Sequence, residues 1–270
     1  MGKNVIITGA SSGIGAALAY QYAKEKYNVI LAARNIVKIE EIASQISKKH
    51  NVQTLAVQCD VSIEQDCNEL INKTIAKFGH IDILINNAGI SMRALFEEVE
   101  LNVIRRLMDV NFMGAVYCTK YALPYIKQTK GSIVAVSSIA GYRGLPGRTG
   151  YSASKFAMQG FFESLRTELI KDGVQVHIAC PGYTDSNVRL NALTAKGNAQ
   201  GATPYDESNL MKSEDVALII YNAVNDKKAE SIMTFKGKLT VFLSRILSKK
   251  TMDKIVLRAV MKDDAALMKK

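Results

Sequence analysis

The sequence predicts a doubly wound α/β fold, a parallel sheet covered by helices on both faces. Two observations carry this. Short β-branched runs alternate with longer segments whose apolar residues recur at helical spacing. The strand-like runs are also nearly continuous in apolar residues, as strands buried on both faces must be. Right-handed crossovers between such strands place ligands beyond their C-terminal ends.

The first strand is expected at residues 4–8, Asn-Val-Ile-Ile-Thr, followed by a glycine-rich turn and a helix over 14–26. Further strands are expected at 28–33, 52–58, 81–86, 132–137 and 174–180. Helical patterns fill the intervals at 37–49, 63–78, 100–127 and 151–171; Ile39, Ile42, Ala43 and Ile46 share one helical face. A polar stretch over 187–211 carries no strong period, and Ser213-Glu214-Asp215 reads as a capped helix start. Residues 1–226 are expected to form one domain, and 227–270 an extension with basic amphipathic helices.

The chain has 270 residues, 48% apolar and 22% charged, enough to bury a core without staples and too apolar for disorder. Cys59, Cys67, Cys118 and Cys180 lack CxxC or CxH spacing, so neither a disulfide framework nor a metal site is expected, and a reducing compartment fits. No leader pattern precedes the first strand and no apolar run approaches the roughly 20 residues of a spanning helix. The expectation is a cytoplasmic protein, soluble or peripheral to a membrane. Of the net charge of +10, the last 44 residues carry +8. Nucleic acid is not the expected partner, because the tail's cations are not interleaved with aromatics and no recognition motif appears.

The first strand runs into Thr8-Gly9-Ala10-Ser11-Ser12-Gly13-Ile14-Gly15. Glycines there let backbone approach a pyrophosphate, and the following helix presents free N–H groups and its positive dipole end. The second strand ends in Ala33-Arg34, where an acidic residue would hold a ribose 2′-hydroxyl and select NAD. Arg34 can instead clamp a 2′-phosphate, so NADP is expected, with NAD as the alternative. Asp60 and Val61 end the third strand and would meet the adenine. Asn86-Asn87-Ala88-Gly89 ends the fourth, its small residues admitting the coenzyme and an asparagine tying neighbouring strands.

Ser138, Tyr151 and Lys155 form the decisive constellation. The four-residue spacing puts the phenol and the ammonium on one helical face. A free tyrosine titrates near pH 10, so acid–base work near neutrality asks for a drop of about three units, worth roughly 4 kcal/mol. A neighbouring Lys⁺ favours the phenolate, and an oxidised nicotinamide would add a second positive charge. Ser138 would hydrogen-bond a substrate oxygen.

Over residues 3–225 these motifs resemble the short-chain dehydrogenase/reductase family: Thr8-Gly-x-x-x-Gly13-x-Gly15, Asp60, Asn86-Asn87-Ala88-Gly89, Asn111, Ser138, Tyr151-x-x-x-Lys155 and Pro181-Gly182. The resemblance implies a Rossmann-type sheet of seven strands, the seventh near 229–234, and a homodimer or homotetramer. It implies hydride transfer between nicotinamide and a carbonyl or secondary alcohol. Tyr151 would be general acid or base, Ser138 would polarise the carbonyl, and Lys155 would hold the nicotinamide ribose. Asn111 would position a relay water, and Pro181, Gly182, Thr184 and Ser186 would contact the nicotinamide end. Ser12 departs from NADP-preferring members that carry a cation in the glycine turn, which leaves Arg34 to supply it.

Substrate choice is expected from residues 90–96, 139–149 and 184–211, whose apolar and cationic side chains suit a lipophilic carbonyl compound. In the tail, Leu239, Phe242, Leu243, Ile246 and Leu247 form one stripe, and Met252, Ile255, Val256, Ala259 and Val260 a second. Such helices would lie on an anionic membrane or pack on protein. The competing readings are a catalytically idle NADP-binding regulator and a coenzyme-regenerating epimerase or dehydratase.

Overall fold

The computed structural model describes residues 2–185, 188, 190–201 and 210–263. Seven parallel strands, β1 (Asn4–Thr8), β2 (Asn28–Ala33), β3 (Thr54–Gln58), β4 (Ile83–Asn86), β5 (Ser132–Val136), β6 (Gln175–Cys180) and β7 (Glu230–Ile232), form one sheet. Their order is β3-β2-β1-β4-β5-β6-β7, so the chain reverses its direction of winding between β1 and β4. The helices are α1 (Gly13–Lys24), α2 (Ile36–His50), α3 (Glu64–Phe78), α4 (Leu101–Met108), α5 (Gly114–Thr129), α6 (Thr149–Glu168), α7 (Ser213–Asn225), α8 (Phe235–Ile246) and α9 (Lys249–Asp263).

Alternate residues of each strand feed opposite faces, as a period of two requires. Val5, Ile7, Val29, Leu31, Ile83, Ile85, Val134 and Val136 pack with Leu18, Ile39 and Ile220 of α1, α2 and α7. Ile6, Ile30, Leu84 and Ile133 pack on the other face with Leu70, Cys118 and Phe162 of α3, α5 and α6. The doubly covered sheet expected from the sequence is thus present, and β7 joins it through Ile178↔Glu230, Ala179↔Ser231 and Cys180↔Ile232.

Two helical expectations need correction. The single helix read at 100–127 is α4 and α5 joined by a π-helical turn, Asp109–Met113, with Asn111 at its centre. One added residue in one turn barely alters a hydrophobic period, so the sequence does not reveal it. In the tail, the first predicted stripe is not the docking face, and the second docks only through Met252 and Val256. Gly237 and Val241 of α8 are buried, whereas Phe235, Leu239, Phe242 and Ile246 are 80%, 45%, 59% and 61% exposed. The reason is a close approach: a Cβ at Gly237 would stand 2.6 Å from Ile139 Cδ1, so α8 seats on its smallest residue. On α9, Met252 and Val256 are buried while Ile255 is exposed, and Arg143 pairs with Asp253. Among the described residues no helix is long and apolar enough to cross a membrane.

His177 of β6 is fully buried, its Nδ1 2.8 Å from the Lys228 carbonyl oxygen and its Nε2 3.0 Å from Ser231 Oγ. Burial pushes the imidazole below its ordinary value. The folded chain therefore binds fewer protons here than the unfolded one. Its contribution is complete above the ordinary imidazole range and is lost as pH falls through that range. His177→Gln is expected to lower the unfolding free energy near neutral pH by about 1–2 kcal/mol. It should also make the decline in stability between about pH 7 and pH 5 shallower. Urea unfolding over a pH series checks this, and a decline as steep as that of the parent would contradict it.

Candidate active site

The ends of β1 and β4 are laced together. Thr8 Oγ1 donates to the Ile85 carbonyl at 3.3 Å and accepts from the Asn87 and Ala88 amides, each at 3.0 Å. Asn87 Nδ2 returns to the Thr8 carbonyl at 2.9 Å and the Gly9 carbonyl at 3.3 Å. Asn86 reaches the other way, donating to Thr119 Oγ1 on α5 at 3.0 Å. The strand-tying role expected of an asparagine falls to Asn87, while Asn86 ties β4 to α5.

This lacing fixes the turn in which Ser11 lies. Gly9 has φ +66° and its Cβ would stand 2.8 Å from Ala88 Cα; a Cβ on Gly15 would stand 2.2 Å from the Gly9 carbonyl oxygen. Gly13, at φ 53°, opens α1 and is followed by Ile14. Ser12 precedes the helix in extended backbone, its side chain does not cap it, and the first turn holds no acid. The helix end therefore keeps its N–H groups and positive dipole for an anion, at a place where side chains are excluded. These residues fit the phosphates of a dinucleotide.

Arg34 is exposed where β2 ends, its carbonyl receiving Gln58 Nε2 at 3.3 Å. Asp60 and Val61 follow β3 at the same edge. Asp60 Oδ1 accepts from the Ser62 amide at 3.0 Å and hydroxyl at 2.7 Å, which fixes the carboxylate. Val61 packs so closely on α5 that a Cβ on Gly114 would meet it at 2.8 Å.

Ser138, Tyr151, Lys155 and Asn111 converge beyond β4, β5 and β6. Asn111 is fully buried: Oδ1 accepts from the Ile90 amide at 2.8 Å, and Nδ2 donates to the Ile90 carbonyl at 3.0 Å and Ser154 Oγ at 2.9 Å. Its amide clamps the chain after β4, an anchoring task that the water-positioning expectation did not include. Gly89 lies against the same group, because its Cβ would stand 3.2 Å from Asn111 Oδ1 and 3.6 Å from Lys155 Nζ. Lys155 is buried, donating to the Val136 carbonyl at 2.9 Å, with Nζ 5.8 Å from the centre of the Tyr151 ring. Burial brings its ammonium down to about 8.

The phenol differs from expectation. Burial pushes Tyr151 above its ordinary value, opposed by a hydrogen bond from Ser138 and by the Arg148 guanidinium, while Cys180 adds to the rise. The ring packs against a buried apolar cluster that includes Met92, Leu107 and Leu193 and offers the phenolate nothing. Within the chain alone, desolvation outweighs the Ser138 hydrogen bond and the Arg148 charge.

Residues 3–196 match the family model for short chain dehydrogenase. The chain belongs to the short-chain dehydrogenase family. This short-chain dehydrogenase is 41% identical over 188 residues to 11-beta-hydroxysteroid dehydrogenase A of Sesamum indicum, covering 69% of the chain and 54% of that protein. It is 34% identical over 244 residues to dehydrogenase/reductase SDR family member 7B of Mus musculus, covering 88% of the chain and 76% of that protein. It thus spans about half the length of the first relative and about three quarters of the second. Among solved structures, an alcohol dehydrogenase from the archaeon Thermococcus sibiricus complexed with 5-hydroxy-NADP superposes with a TM-score of 0.77 at 25% identity, over 86% of this chain and 96% of that one. A short chain dehydrogenase/reductase from Burkholderia phymatum in complex with NAD gives 0.79 at 23%, over 90% and 92%, a likeness of fold.

In this short-chain dehydrogenase the segment after β6 meets the tail. A Cβ on Gly182, beside Pro181, would stand 2.6 Å from Thr234 Cγ2, and Thr184 Oγ1 donates to the Gly182 carbonyl at 3.1 Å. Thr234 then caps α8 by accepting the Gly237 amide at 3.0 Å. Ser186, expected beside them, lies outside the described residues, as does part of 184–211. Of the other expected substrate segments, 90–96 meets what is described of it, Met92 pairing with Leu193, and is joined to 139–149 by the Ala94 amide donating to the Gly147 carbonyl at 3.0 Å. Sequence reasoning missed Thr234 and Gly237 as the joint between tail and site. A glycine inside a helical pattern was the available signal.

Proposed function

We propose that this short-chain dehydrogenase interconverts a carbonyl and a secondary alcohol on a lipophilic substrate, using NADP(H), with Tyr151 as its general acid or base. The observation that carries the reading is the convergence of Ser138, Tyr151 and Lys155, beside a Gly89 that admits no side chain, at the sheet edge where the uncapped end of α1 lies. The bound coenzyme would supply or accept the hydride. Ser138 would hold the substrate oxygen, and Tyr151 would give it a proton as negative charge develops there. A phenol held above its ordinary value keeps that proton near neutrality, which suits reduction. Oxidation would require the phenolate and would gain with rising pH. Lys155 would hold the nicotinamide ribose, and Asn111 would keep the Ile90 segment in place beside it.

Arg34, standing where an acid would select NAD, supports NADP. The likeness to proteins named steroid dehydrogenases supports a lipophilic substrate. The outward ridge of α8, flanked by Lys236, Lys238 and Arg245, supports peripheral contact with an anionic lipid surface.

NADPH consumption over ketosteroids, 3-oxoacyl thioesters, long-chain ketones and quinones tests the activity; an epimerase or dehydratase would regenerate its coenzyme, and an idle regulator would consume none. Tyr151→Phe is expected to cut turnover about 10³-fold while NADPH fluorescence titration stays close to the parent's. Near-parental turnover would refute the assigned role. Arg34→Asp should shift the NADP-over-NAD preference by ~10-fold or more, and an unchanged ratio would place the phosphate elsewhere. In co-sedimentation, vesicles of anionic lipid should retain the protein at low salt and release it at high salt. Phe242→Glu should weaken that retention, and equal binding by the variant would exclude the ridge.

A further inference from the structure

Ser138 is carried by a single turn of chain, Ile139–Gly141. Its Oγ accepts the Ala140 amide at 3.2 Å and its carbonyl accepts the Gly141 amide at 2.9 Å, so a rotation of the turn moves the hydroxyl. The turn is held from two directions. Toward α6, a Cβ on Gly141 would stand 2.9 Å from the Lys155 carbonyl oxygen, and Ser137 Oγ donates to that carbonyl at 3.4 Å. Toward α8, a Cβ on Gly237 would stand 2.6 Å from Ile139 Cδ1 and 3.1 Å from Ile139 Cγ1. Ile139 packs against the buried cluster on the α3, α5 and α6 face, which leaves its side chain little room to retreat. The same added Cβ would stand 2.8 Å from Thr234 Oγ1, the group that caps α8 and fixes where the helix begins.

We propose that Gly237 is a positioning residue for Ser138: α8, seated on Ile139, braces the turn 139–141 against α6 and so sets the Ser138 hydroxyl relative to Tyr151 and Lys155. That role rests on Ser138 holding the substrate oxygen, and it adds what holds Ser138. Gly237 lies beyond residues 3–196, which match the family model, so the brace is built from the tail. A carbonyl within hydrogen-bond reach of two side chains tolerates little displacement of either, and a misplacement of about 1 Å can lower a rate by about 10²-fold. The phosphates of a coenzyme would lie at the start of α1, on the far side of the β1–β4 lacing from this turn. A displaced turn therefore slows turnover and leaves coenzyme affinity in place.

The test adds one methyl group to the full chain. The substrate is whichever ketosteroid, 3-oxoacyl thioester, long-chain ketone or quinone the parent reduces fastest with NADPH. Gly237→Ala is expected to lower kcat by about tenfold, while the NADPH Kd from fluorescence titration stays parental. Alanine favours a helix over glycine, so a weakened α8 does not account for such a loss. Ile139→Val, which removes the Cδ1 nearest the added group, is expected to restore most of kcat in the double variant. A folded Gly237→Ala protein with parental kcat would overturn the proposal, as would a double variant no better than the single one. If Gly237→Ala does not fold, Ile139→Ala decides, because it removes the contact from the other side: a lowered kcat at parental NADPH Kd supports the brace, and a parental kcat refutes it. Hydrogen exchange at the Ala140 amide needs no turnover and is expected to quicken by about tenfold in Gly237→Ala. Should no compound consume NADPH, the oxidoreductase reading fails by itself, and that exchange rate decides the brace, quickened in its favour and unchanged against it.

Discussion

The site depends on one arrangement of backbone hydrogen bonds, the pairing of β1 with β2 on one side and β4 on the other. Chain winding reverses there, so the crossovers leave in opposite directions and open a crevice beyond the strand ends. Val5, Ile6 and Ile7 anchor that central strand, all fully buried, each worth roughly 1.5–3 kcal/mol relative to exposure. The Thr8 hydroxyl and the Asn87 amide then convert strand pairing into a fixed turn. Glycines at 9 and 15 follow from that closeness, since a Cβ at either would collide with backbone.

Around this crevice the protein buries charge, and the consequence is chemical. An ammonium inside the core costs solvation, which the Val136 carbonyl offsets in part while leaving Lys155 a weaker base than a free lysine. The phenol suffers the opposite displacement for the same reason, because desolvation disfavours whichever form is charged. Burial thus pushes the two groups apart on the pH scale, the ammonium below its ordinary value and the phenol above it. The Ser138 hydrogen bond and the Arg148 guanidinium moderate the rise of the phenol.

The tail is part of the same architecture. β7 extends the sheet beside β6, α8 begins at Thr234 against Gly182, and Gly237 lets the helix settle on Ile139, just beyond Ser138. An apolar ridge is left facing outward near the residues that border the substrate segments. Hydrophobic area kept in water beside a concentration of cations is costly unless something covers it, and an anionic lipid surface matches both features.

The amino-acid sequence by itself determined the alternation of buried strands and amphipathic helices, because period and β-branching are local properties written residue by residue. Its motifs also pointed to the short-chain dehydrogenase/reductase family, which the family match bears out for residues 3–196. What the tertiary structure decided depends on neighbours distant in the chain. The commitment of Asn111 to Ile90 and Ser154, the π-helical turn that carries it and the face on which α8 docks all arise where separate segments meet. Periodicity reports which residues seek burial, whereas packing and desolvation settle which of them reach it and what that does to their protons.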